Sequence, residues 1–590
     1  MKSSIAILAI FLGIRCAQAK DIEWQPWSDS VFDQAKQEGR FVLLDLGTGW
    51  CHWCHVMDEV TYRDPAVVDL IRNRYVAVRV DADSRPDLAN RYEDYGWPAT
   101  IVFNVDGSEI VKRQGYIPPE PMASMLQAII DDPSPGPSVL SERKLISGGQ
   151  AFLSSDSRHQ LRQRLVDAYD QKNKGWGTVQ KFLNWDTIEY CMSESAQGNT
   201  AFARMGRETL AAQLNLIDPV WGGVDQYSTD GDWQHPHFEK IMQMQAEDLR
   251  IYAEAFAFWN DPTYLETAKK IHGYLVHFLM SDPGAFYASQ DADLIPGEHS
   301  AGYYQLNDEE RRKRGIPRID QHLYGRENGW AINALATLYA VTGDTCPLDE
   351  AARAARWIIA HRMTSDGGFK HDEKDNGGPY LADTLYLGRA FLMLYQVTAE
   401  RDWLRRAEDA AKYISAHFTA DIGYVTAPDI AALKSKPQFD ENVDLARFTN
   451  LLQHYTGDAG YREMAKHAMK FVCVPEEQNE RGFSVGGLLL ADRELAAAPL
   501  HITIVGSKNN PTAGALFQAA LKLSSSYKRV EWLDNREGAL PNGDVEYPTL
   551  SDPAAFICSE KSCSPPAFSP DELTQAVRKN LRLSTADQGQ

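Results

Sequence analysis

Basic residues are in short supply in this chain. Lys and Arg number 60 against 81 Asp and Glu, a formal net charge of −21 at pH 7. A nucleic acid or an anionic membrane surface is therefore not the expected partner, since both are gripped through clustered cations. Long apolar runs are missing as well. Past the first 19 residues no stretch is long enough to span a bilayer, so no membrane span is expected in the mature chain. Cysteine is sparse, eight in 590 residues, which excludes a disulfide scaffold. What the chain does have is 44% hydrophobic and 24% charged residues. That is the balance of a globular protein with sizeable cores, and the length calls for two or more domains.

Met1 to Ala19 is laid out as a secretory signal: Lys2 in front, an apolar run from Ile5 to Ile14, then Ala17-Gln18-Ala19 as a small-residue cleavage site. The reading is an exported chain, periplasmic or secreted, starting at Lys20 and working in an oxidising compartment. Losing the signal loses Cys16. Cys51, Cys54, Cys191, Cys346, Cys473, Cys558 and Cys563 remain, an odd set in which at least one thiol stays free or pairs outside the chain. Cys558 and Cys563 are spaced for a local disulfide, for two ligands of a zinc ion, or for a plain pair of thiols.

The densest chemistry is Trp50-Cys51-His52-Trp53-Cys54-His55, after the apolar run Phe41 to Leu46 and the turn Gly47-Thr48-Gly49. A cysteine at a helix start has its pKa lowered from ~8.5 by the free backbone N–H groups, and the thiolate is the reactive form. Cys51 is the candidate nucleophile and Cys54 the resolving thiol. His52, when protonated, would stabilise the thiolate, and Trp50 and His55 flank the pair as modulators. The same letters spell CxxCH, the attachment pattern of a c-type haem, and two cysteines at this spacing also serve structural or zinc sites. Context favours thiol-disulfide chemistry. Asp45 lies on the preceding strand where thioredoxins keep a proton-relaying carboxylate. Trp97-Pro98 precedes the strand Ile101-Val102-Phe103, where thioredoxins place a cis-proline. The partner implied is a disulfide-containing protein substrate or redox partner; neither a metal nor a resident cofactor is expected.

Element patterns give the fold class: an α/β thioredoxin-like fold, then an all-α (α/α)6 toroid, then a small C-terminal α/β appendage. A helix from Trp24 to Gly39, strands at Phe41–Leu46, Tyr75–Val80, Thr100–Asn104 and Glu109–Gln114, and helices at Pro65–Arg74 and Pro121–Ile130 make up the first part. Asp131 to Ser138 is a stiff, polar linker. Six glycine-bearing turns follow, at Gly175, Gly222, Gly284, Gly367, Gly423 and Gly482, and imply six helical hairpins. Helices are expected at Glu239–Trp259, Pro262–Met280, Gly329–Thr342, Glu350–Met363, Leu381–Val397, Asp402–Phe418, Asn442–Tyr455 and Tyr461–Phe471. Strands at His501–Gly506 and Ala554–Cys558 with helices at Ala513–Leu523 and Pro570–Asn580 close the chain. The boundaries read are a signal at 1–19, a thioredoxin-like domain at 20–131, a linker at 132–150, the toroid at 151–498 and the appendage at 499–590.

Cys51-His52-Trp53-Cys54-His55-Val56-Met57 with Asp81-Ala82-Asp83-Ser84-Arg85-Pro86-Asp87 resembles the spermatogenesis-associated protein 20 family, whose thioredoxin-like domain is also called DUF255 or DsbH-like. The resemblance continues through Gly222 to Ser228, His235 to Lys240, Ser289 to Asp293, Glu327 to Trp330, Ala382-Asp383 and Cys558 to Pro566. Two departures, the short Tyr92 to Gly96 loop and Trp50 before the first cysteine, move it towards an ordinary thioredoxin. The toroid resembles six-hairpin glycosidases and sugar epimerases, which implies a sugar ligand as a further partner, though fold alone does not give function.

Polar residues at the funnel end of a toroid meet at its centre. Tyr227, His235, His237, Glu239, Lys240, Asp291, Asp293, Asn328 and Asp383 all fall near expected turns or helix starts. His237 with Glu239 or Asp291 would serve as an acid and base pair for sugar epimerisation or glycoside cleavage. Trp221, Tyr227, Trp233, Tyr303 and Trp330 would offer stacking surfaces for a sugar ring. The same residues also read as helix-start charges, caps and satisfied loop histidines, and His235 with His237 as a metal-binding pair. Three functions thus stay open: a thiol-disulfide oxidoreductase, a sugar epimerase or glycosidase with a thioredoxin-like docking module, and a non-enzymatic binding protein.

Overall fold

The computed structural model describes residues 21–28, 30–92, 96–139, 149–374, 377–429, 433–558 and 563–587. The expected signal at 1–19 and part of the expected linker lie outside them. By contacts the chain divides into two compact units, one of Met1–Leu46, Trp53–Val80 and Tyr95–Leu140, the other of Gly47–His52, Asp81–Asp94 and Ser141–Gln590.

Along the first part of the chain the elements run α1 (Val31–Glu38), β1 (Phe41–Gly47), α2 (His52–Val56), α3 (Pro65–Arg74), β2 (Tyr75–Asp81), α4 (Pro86–Tyr92), β3 (Ala99–Phe103), β4 (Glu109–Gln114) and α5 (Pro119–Asp131). The four strands form one sheet in the order β2-β1-β3-β4. Every residue of β3 is buried, so both faces of the sheet are covered. Val102 clusters with Val67, Ile71, Met122 and Leu126 of α3 and α5. Phe103, one residue on and so on the opposite face, meets Phe32 of α1 and Trp27 at ring separations of 5.5 and 6.0 Å. Asp64 caps α3 through the Ala66 and Val67 amides with Pro65 at its first position, the reason its start was readable.

The helix expected from Trp24 to Gly39 forms only over Val31–Glu38. Pro26 disfavours helical backbone at Gln25, and Gln25 instead pairs with β2, its N–H donating to Ala77 O at 3.0 Å.

The second unit is built on helix pairs: α6 (Ser155–Asp167), α7 (Trp185–Ala196), α8 (Thr200–Gln213), α9 (Met242–Trp259), α10 (Pro262–Tyr274), then the short α11 (Ala301–Tyr304) and α12 (Asp308–Arg314). They continue with α13 (Gly325–Thr342), α14 (Thr345–Arg362), α15 (Leu381–Thr398), α16 (Arg401–His417), α17 (Phe439–Thr456), α18 (Ala459–Val472), the short α19 (Pro475–Glu480) and α20 (Gly486–Ala496). Helices α7, α9, α13, α15, α17 and α20 touch in that order, and α20 returns to α7, closing the inner ring of a toroid. Each inner helix has an outer partner: α8, α10, α14, α16 and α18 follow theirs in sequence, while α20 takes α6 from the start of the unit. The ring therefore closes by joining its two chain ends. Inner α13 and α15 are buried almost all round, whereas outer α16 buries a stripe of Trp403, Leu404, Ala407, Ala411 and Ile414. Among the described residues no helix is long and apolar enough to cross a membrane.

One device recurs where the chain enters the ring. An amide side chain near the start of an inner helix clasps both backbone groups of the residue after a glycine turn. Gln245 does so to Val224, Asn328 to Phe286 and Asn442 to Tyr424, all at 2.7–3.0 Å. Gly423, at φ +69°, is needed beside the last, since a Cβ there would lie 2.8 Å from Asn442 Oδ1. Removing this clasp strands two buried backbone groups. Asn442→Ala is expected to lower unfolding free energy by about 2 kcal/mol, read from urea melts.

The appendage, also in the second unit, is a three-stranded sheet of β10 (Leu500–Val505), β11 (Lys528–Leu533) and β12 (Ala554–Cys558) in the order β11-β10-β12, packed by α21 (Pro511–Leu521) and α22 (Pro570–Asp587). β10 and β11 run parallel and β12 antiparallel. Cys558 and Cys563 are joined in a disulfide. Of the three cysteine states open from spacing, the structure has this one.

Candidate functional site

In the first unit Asp45 is buried on β1. Arg79 of β2 donates to it at 2.8 Å and the Tyr62 hydroxyl at 3.2 Å. Burial pushes the Asp45 carboxyl above its ordinary value, and Arg79 opposes but does not cancel this. Arg79 also pairs with Asp58 and lies 4.2 Å over the Trp24 ring. A carboxyl so placed holds a proton more readily than an exposed one, which suits a relay. Sequence reading named Asp45 and missed Arg79, Asp58 and Tyr62, each unremarkable in its local pattern. Helix α2 carries Cys54, and Cys51 immediately precedes it; both cysteines are disulfide-bonded. Trp53 stacks on Tyr116 at 5.8 Å, burial raises the Asp58 carboxyl with Arg79 and, more weakly, His55 opposing, and the Trp97-Pro98 peptide is cis.

The second unit brings together residues that lie nearly 250 positions apart in the chain. Its strands β5 (Tyr227–Ser228) and β6 (Pro236–His237) form one hairpin, and β7 (Lys240–Ile241), β8 (Ser289–Gln290) and β9 (Ile319–Asp320) a small sheet beside the start of α9. Lys240 pairs with Gln290 in antiparallel register. That register sets Glu239, just before β7, opposite Asp291, just after β8, with Asp293 two residues on. Asp293 takes His52 Nδ1, each carboxylate oxygen at 2.9 Å, and Glu239 Oε1 accepts the His52 amide at 3.4 Å. Glu239 Oε2 is buried without a hydrogen-bond partner, with His237 Nδ1 at 3.9 Å. Burial pushes Glu239 up to about 7 and His237 down to about 4. Tyr227 stacks on the His237 ring at 4.4 Å.

The residues around Cys51 are held on both sides. Trp50 Nε1 donates to Asp83 Oδ2 at 2.6 Å and Arg318 to Gly49 O at 2.6 Å; Cys51 itself is 4% exposed. Asp83 is pushed up to about 8 by burial and by Asp81 and Glu327. His371 ties this edge to the ring: its Nε2 meets Asp83 O at 2.7 Å and its Nδ1 Asp383 Oδ1 at 2.9 Å, and it stacks on Tyr324 at 4.2 Å. Glu327 Oε2, Asp383 Oδ2 and the Tyr324 hydroxyl are buried without hydrogen-bond partners. Asp83, His371, Glu327 and Tyr324 were not expected as site residues; Asp83 and Glu327 stood in segments of the family resemblance, but the two lie far apart in the chain.

Other expected residues turn out to be occupied by the fold. Lys240 is fully buried, paired with Asp225, 3.8 Å from Asp218 and 4.6 Å over the Tyr304 ring. Its stem leaves no room for a Cβ at Gly223, which would lie 2.9 Å from Lys240 Cδ, so the double glycine and the lysine are one packing unit. Asn328 is a clasp, and His235 turns to Asp232 at 3.0 Å rather than to His237's neighbours. Helix α9 begins at Met242, not Glu239, because Lys240 is committed to β7. The stacking role for Trp221, Trp233 and Tyr303 is corrected. Trp221 is buried under Arg311 at 4.7 Å, Trp233 bonds the Asn173 and Lys174 carbonyls, and Tyr303 bonds Gly315 O. Trp330 is likewise buried, with Arg326 at 5.0 Å over its ring.

Known proteins bear on these two units separately. Residues 13–131 match the family model for the DsbH-type thioredoxin domain, described as a protein of unknown function, DUF255. Over 83 residues, 13% of this chain and 14% of the other, the chain is 33% identical to the thiol:disulfide interchange protein DsbD of Pseudomonas fluorescens. A solved cellobiose 2-epimerase from Spirochaeta thermophila overlays 57% of this chain and 96% of its own at 13% identity and a TM-score of 0.44. Spermatogenesis-associated protein 20 of Mus musculus is 29% identical over 310 residues, 47% of this chain. The match takes in 39% of that protein, so this chain spans about two fifths of the length of the curated relatives it matches. The chain is thus similar to spermatogenesis-associated protein 20 and carries a DUF255 thioredoxin-like segment at its N-terminal end.

Proposed function

We propose that this chain is an exported thiol-disulfide oxidoreductase. The observation that carries the reading is the oxidised state of Cys51 and Cys54 at the β1 to α2 junction of a thioredoxin-like sheet. Similarity to a thiol:disulfide interchange protein over this region supports it. In the reducing direction Cys51 as thiolate attacks one sulfur of a substrate disulfide, forming a mixed disulfide and releasing the other sulfur as a thiolate that takes up a proton. Cys54 then attacks Cys51, releasing the second substrate thiol and leaving Cys51 and Cys54 joined. Two electrons and two protons pass to the substrate in all. Asp45, with its raised carboxyl, is the residue assigned to proton transfer at Cys54, and Pro98 is assigned to the substrate groove. A redox titration of the mature chain in glutathione buffers tests this, read by Trp50 and Trp53 fluorescence and by alkylation of Cys51 and Cys54. A reversible two-electron transition is expected; cysteines that never leave one state would overturn the reading.

A second reading, a sugar site in the toroid, is favoured by one observation. Glu239 has one buried oxygen unbonded, its carboxyl pushed up to about 7 by burial, and 3.9 Å away His237, which burial pushes down to about 4. A proton donor and acceptor so matched suit epimerisation or glycoside cleavage at neutral pH. Asp291, opposite Glu239 in the β7–β8 register, would hold ligand hydroxyls beside it. Turnover of a mono- or disaccharide panel, lost in His237→Ala, is the expected result, and a panel giving neither binding nor turnover would reject it.

A further inference from the structure

We infer that Glu239 is a positioning residue for Cys51: through the His52 amide it holds a carboxylate against the nucleophile's own backbone, and its charge sets how readily the Cys51 thiol gives up its proton. This rests on the oxidoreductase reading and adds to it a control that neither the cysteine motif nor its thioredoxin-like surroundings contain.

The geometry comes first. The His52 amide that Glu239 Oε1 accepts at 3.4 Å is the nitrogen bonded to the carbonyl carbon of Cys51. Peptide dimensions then put the Cys51 Cα within about 6 Å of that oxygen. Water does not dilute the interaction, since Glu239 is 3% exposed and Cys51 4%. The sulfur, two bonds beyond that Cα, lies within about 9 Å, and two unit charges at that separation in a protein interior move a titration by about one unit, a tenfold change in thiolate fraction.

Asp291 stands opposite Glu239 in the β7–β8 register, with Arg318 4.0 Å from its carboxylate. His237 Nδ1 lies 3.9 Å from Oε2, and Tyr227 stacks behind that ring. His52 is held through Nδ1 against both oxygens of Asp293, which fixes the imidazole. His299 closes the far side at 5.6 Å from the His52 ring. Asp293 opposes loss of the Glu239 proton and His52 favours it. Burial pushes the Glu239 carboxyl up to about 7, within the range where activated thiols ionise, so loss of one proton is expected to bear on loss of the other. When Glu239 is neutral, the Cys51 thiolate forms without a buried anion beside it. When Glu239 is charged, the thiolate forms against one.

The test is the pH profile of iodoacetamide alkylation at Cys51 in the fully reduced mature chain, followed by peptide mass spectrometry. Wild type is expected to show thiolate appearing in two steps. Glu239→Gln keeps an oxygen for the His52 amide but removes the charge; a single step and about tenfold faster alkylation at pH 8 are expected. Glu239→Asp restores a charge on a shorter stem and is expected to bring the second step back. A Glu239→Gln profile that superimposes on wild type would overturn the inference. Loss of reactivity in Glu239→Gln that Glu239→Asp does not reverse would also overturn it, marking a purely structural role. Alkylation reports the thiol whether or not the protein turns over disulfides, so failure of the oxidoreductase reading would show in the redox titration and leave this result standing.

Discussion

Cys51→Ser is expected to bring insulin reduction by the mature chain down to the uncatalysed rate, a loss of about a thousandfold or more. The size follows from the chemistry. A serine hydroxyl is a far weaker acid than a thiol and forms no disulfide, so neither the attack nor the mixed disulfide survives the substitution. Cys54→Ser is expected to behave differently. Cys51 still attacks, but nothing resolves the product, and a covalent adduct between Cys51 and the substrate should accumulate and be visible by mass. The pairing separates an oxidoreductase from a protein whose cysteines only hold structure, in which both variants would lose stability and neither would trap an adduct. Unchanged insulin reduction in Cys51→Ser would remove Cys51 from the role. The local structure argues that the substitution is tolerated: the backbone about residue 51 is held by Trp50 to Asp83, Gly49 to Arg318 and His52 to Glu239 and Asp293, none of which needs the sulfur.

How far the sequence reached depends on the range of the interaction. Local rules were enough for α3, with Asp64 and Pro65 at its start, and for β4 and β12, which span the residues expected of them. They were also enough for the glycine turns, because each needs a positive φ or a close approach that side chains forbid. Pairing was not legible. Nothing near Glu239 announces that its neighbour Lys240 will lie opposite Gln290, yet that register brings Glu239 to Asp291 and sets the site. Nor does the motif around Cys51 say that His52 will face Asp293, 241 residues away. Lys240 and Asn328 show the converse: polar groups at turns read as site residues because sequence does not reveal which of them are already consumed by burial and hydrogen bonding. The closing of the ring by α6 against α20 is of the same kind, since each turn suggests a partner next in sequence and only the last helix must look back to the first.

The largest effect on stability is expected at Arg447, in the middle of the ring. Its guanidinium serves Glu189 of α7 and Glu494 of α20, while Arg250 of α9 reaches Glu189 at 3.0 Å and Glu254 at 3.1 Å. Four of the six inner helices are thus tied through one buried cluster, including the seam where α20 meets α7. It lines a cavity of about 140 Å³ together with Arg389, Asn333 and Lys528. Burial alone would raise Glu189, but Arg447 and Arg250 outweigh it and hold that carboxyl well below the usual range. Arg447→Met keeps the stem and removes the charge. About 3–5 kcal/mol of unfolding free energy is expected to be lost at pH 7, because Glu189 and Glu494 are left buried with too little positive charge. The pH dependence fixes the mechanism. A carboxyl depressed in the folded state contributes stability above its unfolded value near 4.3 that is lost as pH falls through the folded value, so wild type should weaken in acid. In Arg447→Met the sign at Glu189 turns over: burial with less compensation favours the protonated form, and the variant's deficit should shrink between pH 7 and pH 5. Glu189→Gln added to Arg447→Met is expected to recover part of the loss, since it removes the stranded charge. Urea unfolding of the three proteins at the two pH values measures all of this, and a deficit that is independent of pH and unrelieved by Glu189→Gln would mean that Arg447 acts through packing of its stem, not through its charge.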